Sequence, residues 1–469
     1  MTHTKQRSWR GASRLKPAVL VAMAMAGWMP VSGVSAATAE CPWVWSPVEQ
    51  LNVPGPFLGR NPLIRMDDAG TALAAWAEMG PDNTERILVS RRAPGGHWQA
   101  PWQVGVNPGA GQNDSSDLDL AVGASGHALL TWRRQSQRDP AGPRVVYFDP
   151  VAGWTQPTTL PVKSAGATAA AVAVNGAGQG LVSWAEPGQV LTRFFSPGKG
   201  WSAVVRVGDT RTQPGSAPRP VINDVGDAAV SWMSPQPKVA RYDRSAGGWQ
   251  PTTPLLDAGK VREGASPDLA LTPAGDLFAV WAEQPKGDSK MRVLAAHYLA
   301  GQGWEPTARL SGASYGGHQP SVAVNPQGEA MVSWRVEEMG TAQRVESSRY
   351  MPGRGWGATV RIRTDAFVSA SVPSFQPRGE FGVLSQQAYP DDDGVDFSKV
   401  VAYTMRASSN EIAEDAIWDL GTVISLDASP AGRQAALGAL HDSPWVASPG
   451  VLRASVRERS CARMAAVMP

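Results

Sequence analysis

The chain has 469 residues with 43 basic and 41 acidic side chains, a near balance that argues against a nucleic-acid surface. Glycine (49), proline (39) and tryptophan (19) are plentiful and long helical patterns are scarce, which points to short strands and many turns. No stretch reaches the roughly 18 apolar residues of a membrane helix, so no membrane span is expected.

Residues 1–39 read as a signal peptide. Lys5, Arg7, Arg10, Arg14 and Lys16 precede the short apolar run PAVLVAMAMAGWM, and small residues follow, so cleavage is expected after Ala36 or Ala39. No adjacent arginine pair precedes that run, and Glu40, just before Cys41, does not suit a lipid attachment site. The mature chain, 40–469, is therefore expected in the periplasm or outside the cell, as one domain. Its two cysteines, Cys41 and Cys461, stand near its two ends. In an oxidising compartment they are expected to form a disulfide.

The mature part opens with CPWVWSPVEQL, an aromatic strand-like piece with no partner beside it. A repeat then begins. DDAGTALAAW, GASGHALLTW, NGAGQGLVSW, NDVGDAAVSW, TPAGDLFAVW and NPQGEAMVSW each carry a turn glycine (Gly70, Gly126, Gly178, Gly226, Gly275, Gly328). Six residues on comes Trp76, Trp132, Trp184, Trp232, Trp281 or Trp334. Copies at Gly379 and Gly432 lack the tryptophan. Each copy reads as a hairpin, with Asn, Asp or Pro opening the turn and glycine taking its positive-φ position.

A second motif follows each hairpin: a third strand, a Gly-rich turn and Trp98, Trp154, Trp201, Trp249, Trp304 or Trp356. An aliphatic residue lies six positions later (Val104, Leu160, Val207, Leu255, Leu310, Ile362), and Trp418 with Ile424 makes a seventh case. Each unit is thus four antiparallel strands. The last unit ends at its third strand, VLRASVRERSC, while Trp45, Pro47 and Leu51 repeat the spacing of Trp304, Pro306 and Leu310. The orphan N-terminal strand is therefore expected to complete the last unit. The expected fold is an all-β propeller of eight four-stranded blades, with seven as the alternative.

Aligned on the turn glycine, the innermost strands carry small residues five positions earlier, except for Arg65 and Asp427. Asp117, Asp119, Arg219 and Asp268 lie just upstream at the same level as Asn61, Ser266, Gln319 and Ser321, and His318 is placed with them. These polar residues converge on one mouth of the channel, so Arg65, Asp117, Asp119, Arg219, Asp268 and His318 are the candidate ligand-binding set. Ion pairs between blades, Arg65 with Asp427 and Asp119 and Arg219 with Asp268, account for the same residues structurally. The strand-two tryptophans read as packing between blades; the outer ones read as packing or as platforms for sugar rings. DDDGVD, 391–396, reads as a solvated loop rather than a calcium loop, because it lacks the distal Glu. Serine-hydrolase, zinc-protease and P-loop signatures are absent, the histidines show no metal-ligand spacing, and no cofactor or metal is expected.

The hairpins ending in VSW, followed by RYMPGRGW, resemble secreted bacterial β-propellers of the sialidase-like kind and propeller lectins. The resemblance covers nearly all of the mature chain at repeat level. It implies the fold but no catalytic residue, since SPGKGW and MPGRGW stand where sialidases carry S-x-D-x-G-x-T-W. The expected function is non-catalytic binding of a glycan or a protein on one face of the disc, by a monomer. The alternative is a divergent glycoside-active enzyme at the channel mouth, with Asp117, Asp119 and Asp268 as the source of its two carboxyl groups.

Overall fold

The computed structural model describes residues 43–52, 58–80, 82, 84–107, 116–134, 142–163, 167–210, 217–255, 261–264, 266–312, 316–337, 344–363, 367–375, 381–390, 396–405, 412–417, 422–428, 434–440 and 451–459. Residues 1–39, read above as a signal peptide, Cys41, Cys461, Gly379, Trp418, Gly432, His441 and 391–395 of the acidic stretch lie outside the described residues.

The described chain is all β, and its strands fall into eight antiparallel sheets. Seven are each drawn from one continuous stretch: 58–107, 116–159, 171–208, 219–254, 261–309, 316–363 and 367–417. They are called the first to seventh blades here. The remaining sheet is a composite. Thr422–Ala428, Gln434–Leu440 and Val451–Arg459 supply three strands, and the N-terminal strands Trp43–Trp45 and Glu49–Gln50 both pair with Val451–Arg459. The inner strands of successive sheets lie against one another, and that of the composite sheet touches those of the seventh and first blades. The sheets therefore close a ring.

The expectation of eight four-stranded blades is corrected to seven, the alternative count. The blades built from one continuous stretch number seven, and the sheet that joins the ends is a composite. Only the first and seventh blades keep to four plain strands. In the others the outer strand breaks in two, as in Gly153–Trp154 and Thr158–Thr159, or Gly303–Trp304 and Ala308–Arg309. Pro157, Pro251 and Pro306 sit in such breaks, where a residue without an N–H cannot extend the ladder. The inner strand of the fifth blade is also split, into Val261–Gly264 and Asp268–Leu271, ahead of Pro267.

The turns form as their residues dictate. Gly70, Gly126, Gly178, Gly226, Gly275 and Gly328 hold φ of 91°, 84°, 75°, 91°, 92° and 82°, a region open to glycine at little cost. The residue three before the glycine closes the turn with its side chain. Asp67 Oδ1 accepts the Thr71 N–H at 2.7 Å, and Asn175, Asn223 and Asn325 accept from Gln179, Asp227 and Glu329 in the same way.

The core lies between sheets. Trp76, Trp132, Trp184, Trp232, Trp281 and Trp334 are no more than 2% exposed. Trp132 of the second blade packs with Leu73, Ala75, Val89 and Val104 of the first. A Cβ on Gly105 or Gly208 would come within 2.4 or 2.2 Å of the indole of the following blade, Trp132 or Trp232. Val104, Leu160, Val207, Leu255, Leu310 and Ile362 are buried as their register requires. The outer tryptophans are packing residues too. Trp154, Trp201, Trp249, Trp304 and Trp356 lie 5.0–5.6 Å from Phe148, Phe195, Tyr242, Tyr298 and Tyr350 of their own third strands.

Candidate ligand-binding site in the central channel

The inner strands bring one side-chain layer to the axis, and small residues there leave a cavity of about 350 Å³. Its wall is mostly aliphatic, with Leu120, Val172, Val221 and Leu271 from successive blades. Two charged groups enter it, Arg65 from the first blade and Asp119 from the second. Arg65 donates from a guanidinium NH to its neighbour's carbonyl, Ile64 O, at 2.8 Å. Asp119 Oδ2 accepts the backbone N–H of Val172, in the next blade, at 2.8 Å. Burial pushes the Asp119 carboxyl above the usual carboxylate range, opposed first by the Arg65 charge and then by the Val172 N–H.

Arg219 and Asp268 meet beside this cavity rather than in its wall. Arg219 donates to Asp268 Oδ1 at 3.0 Å. Asp268 Oδ2 accepts from Ser321 Oγ and from the Val322 N–H, both at 3.1 Å. Three blades, the fourth to sixth, are thereby tied by one carboxylate. Asp427 does the same between the composite sheet and the first blade, accepting the Met66 N–H at 2.8 Å. The ladders set half-buried Asp117 across from Arg133 and half-buried His318 across from Arg335; neither lines the cavity. The candidate set thus divides. Arg65 and Asp119 share the cavity, Arg219 and Asp268 form an adjoining ion pair, and Asp117 and His318 stand apart.

Two features of this rim escape a reading of residue types. Asn61 and Gln319 both hold left-handed backbone, φ 47° and 49°, at bulges where their inner strands change register. A proline follows each, Pro62 and Pro320, and the dipeptides Asn-Pro and Gln-Pro were the available signal. The second feature is the hydroxyl before four of the six strand-two tryptophans. Thr131, Ser183 and Ser231 donate to the carbonyls of Ala170, Pro218 and Pro267 in the following blade at 2.8, 3.0 and 2.6 Å. The recurring S-W and T-W pairs carried that signal.

At its turn end the channel opens into a second cavity of about 300 Å³, rimmed by Asp68, Asn175, Asn223 and Asn325 among others. Its amides are engaged between blades, for Asn175 Nδ2 donates to Asn223 O at 2.8 Å and Asn223 Nδ2 to Thr272 O at 3.0 Å. Among the described residues no group of three or more His, Cys, Asp or Glu side chains could hold a metal ion. No helix among them is long and apolar enough to cross a membrane.

No protein-family model matches the chain, and no curated protein matches it in sequence. Its similarity to solved structures is one of propeller fold. The WD40 domain of SCAP from fission yeast is 11% identical, with a TM-score of 0.48 over 88% of this chain and 98% of that one. The NanB sialidase of Streptococcus pneumoniae is 10% identical, with a TM-score of 0.39 over 73% and 68%. The fucose-specific lectin of Aleuria aurantia is 13% identical, with a TM-score of 0.36 over 66% and 97%.

Proposed function

We propose that the protein is an exported, monomeric binding propeller, periplasmic or secreted, that takes one residue of a glycan into the central channel between Arg65 and Asp119. One observation carries this reading: a guanidinium and a carboxyl group converge on a concave, otherwise aliphatic cavity of about 350 Å³. That volume falls at the small end of the ~300–1,000 Å³ range of small-molecule sites. A recess of this size suits a sugar ring with hydroxyls for both charges better than a flat protein epitope. Arg219, Asp268, Asp117 and His318 would meet the parts of the ligand that stay outside.

Binding is favoured over glycoside cleavage because cleavage needs two carboxyl groups flanking one bond. Asp119 is the acid of the cavity wall, while Asp268 is held by Arg219, Ser321 and Val322. The test is a glycan array probed with the intact protein and with Arg65→Ala and Asp119→Asn. Selective binding that drops at least about tenfold in both variants is expected, as for loss of a charged hydrogen bond. Binding that survives both substitutions would move the site elsewhere. Turnover of fluorogenic glycosides that vanishes in Asp119→Asn would replace binding by catalysis.

A further inference from the structure

We infer that the glycan residue taken by the channel bears a linear alkyl or acyl chain, and that this chain runs from the site of Arg65 and Asp119 through an aliphatic collar into the second cavity. The inference rests on the proposed glycan reading of that site and names the class of its ligand. Four residues carry it, because Val122, Val174, Ile222 and Leu271 line both cavities and so form the junction between them. Each stands four residues before the turn glycine of its blade, and each is half-buried. Met66 and Val324 hold the same place in the first and sixth blades and line the second cavity. Six successive blades thus put an apolar side chain at one level of the channel. A peptide or a second sugar passing there would leave amides or hydroxyls without partners, a loss for every group so buried. A methylene chain has none to lose. The second cavity favours the same occupant, because its amides are already spent. Asn175 and Asn223 accept from Gln179 and Asp227 through Oδ1, and their Nδ2 groups donate to carbonyls of the following blade. Asn325 is engaged at both ends by Glu329. The charged residues of its described lining, Asp68 and Asp224, are exposed, and Asp224 Oδ1 accepts the Gly176 N–H at 2.6 Å.

The test is calorimetric titration of the intact protein with methyl, butyl, hexyl and octyl glycosides of glucose, galactose and mannose, below micelle-forming concentrations. For at least one sugar, affinity should rise about two- to fourfold per added methylene until the second cavity is full, and at least about thirtyfold from methyl to octyl. Affinity that is flat from methyl to octyl, or no binding of any octyl glycoside, overturns the inference without recourse to a variant. Val174→Phe and Ile222→Phe narrow the collar from neighbouring blades at half-buried positions, with folding checked by thermal melting. In either variant the gain from methyl to octyl should shrink at least about tenfold. A gain that survives both substitutions means that the chain binds elsewhere, as an adventitious detergent does, and also overturns the inference. Arg65→Ala separates this inference from the reading it rests on. If the chain-length gain persists and methyl-glycoside affinity is the same in Arg65→Ala as in the parent, the sugar site is wrong and the chain passage stands. If Arg65→Ala weakens the methyl glycoside and the parent shows no chain-length gain, the sugar site stands and the chain passage is wrong.

Discussion

At the scale of single residues, the repeat uses polar side chains to solve local hydrogen-bonding problems inside an apolar stack. The strand-two tryptophans bury an indole N–H, and a buried donor left without a partner costs about 1–3 kcal/mol. In three blades the glutamate two residues on accepts it: Trp76 to Glu78 at 2.9 Å, Trp184 to Glu186 at 3.4 Å and Trp281 to Glu283 at 3.0 Å. Burial pushes the Glu78 and Glu283 carboxyls upward, against the indole N–H and the charges of Arg86 and Arg292. The folded state therefore holds the proton more firmly than the unfolded chain does. The stabilisation from these groups grows as pH falls from neutrality toward the ordinary glutamate value, and is lost as pH rises through the folded value. Glu78→Gln keeps an acceptor for Trp76 without the charge. Urea unfolding at pH 5 and pH 7 should show a smaller difference in stability for the variant than for the parent. An unchanged difference would mean that Glu78 is already fully ionised across that range.

At the scale of elements, each blade is fitted to the next by the absence of a side chain as much as by its presence. Gly208 lies on the outer strand Val205–Gly208 of the third blade, where the Trp232 ring of the fourth occupies the space of a Cβ. Trp232 is 2% exposed and also donates to Asp209 O at 3.0 Å, so it has little room to withdraw. Gly208→Ala should cost about 1–3 kcal/mol by overpacking and should alter tryptophan fluorescence. Gly248→Ala, in open space on an outer strand, is the control and should stay within about 0.5 kcal/mol of the parent. Equal effects in urea melts would show that the inter-blade fit is looser than these contacts require. The broken outer strands belong to the same scale. Because proline interrupts several of them, the rim of the disc presents short ladders rather than long free edges.

At the scale of the molecule, the ring is joined by residues 43–51 of the N-terminal arm. Ser46 and Ser455 hydrogen-bond across the seam, Ser455 Oγ donating to Ser46 O at 2.8 Å. Leu51 packs with Ile64 and Trp76 of the first blade and with Ala435, Ala454 and Val456 of the composite sheet. Glu49 reaches on to the first blade, 3.1 Å from His97 Nδ1. Removing residues 43–51 would strip the outer partner from Val451–Arg459 and open a core that spans two sheets. The truncated protein should aggregate or melt well below the parent, by more than about 5 °C, in thermal unfolding followed by light scattering. A truncation that melts with the parent would mean that the seam contributes no stability.

The sequence by itself determined the repeat unit, because turn glycine, tryptophan and aliphatic spacing are local and recur in one register. It also determined the fate of the N-terminal arm: Trp45, Pro47 and Leu51 carry the spacing of an outer strand, and only one unit lacked such a strand. The number of blades and the plainness of their strands were not fixed along the chain, since splitting of strands at Pro157 or Pro267 depends on how segments pair in the folded sheet. The candidate site was legible as a list of residues but not as an arrangement. Six polar residues at one level of the repeat look equivalent along the chain. Only the packing of successive blades sent Arg65 and Asp119 into the cavity and tied Asp268 to Arg219 and Ser321, because each carboxylate finds its partner on the neighbouring blade, some fifty residues away.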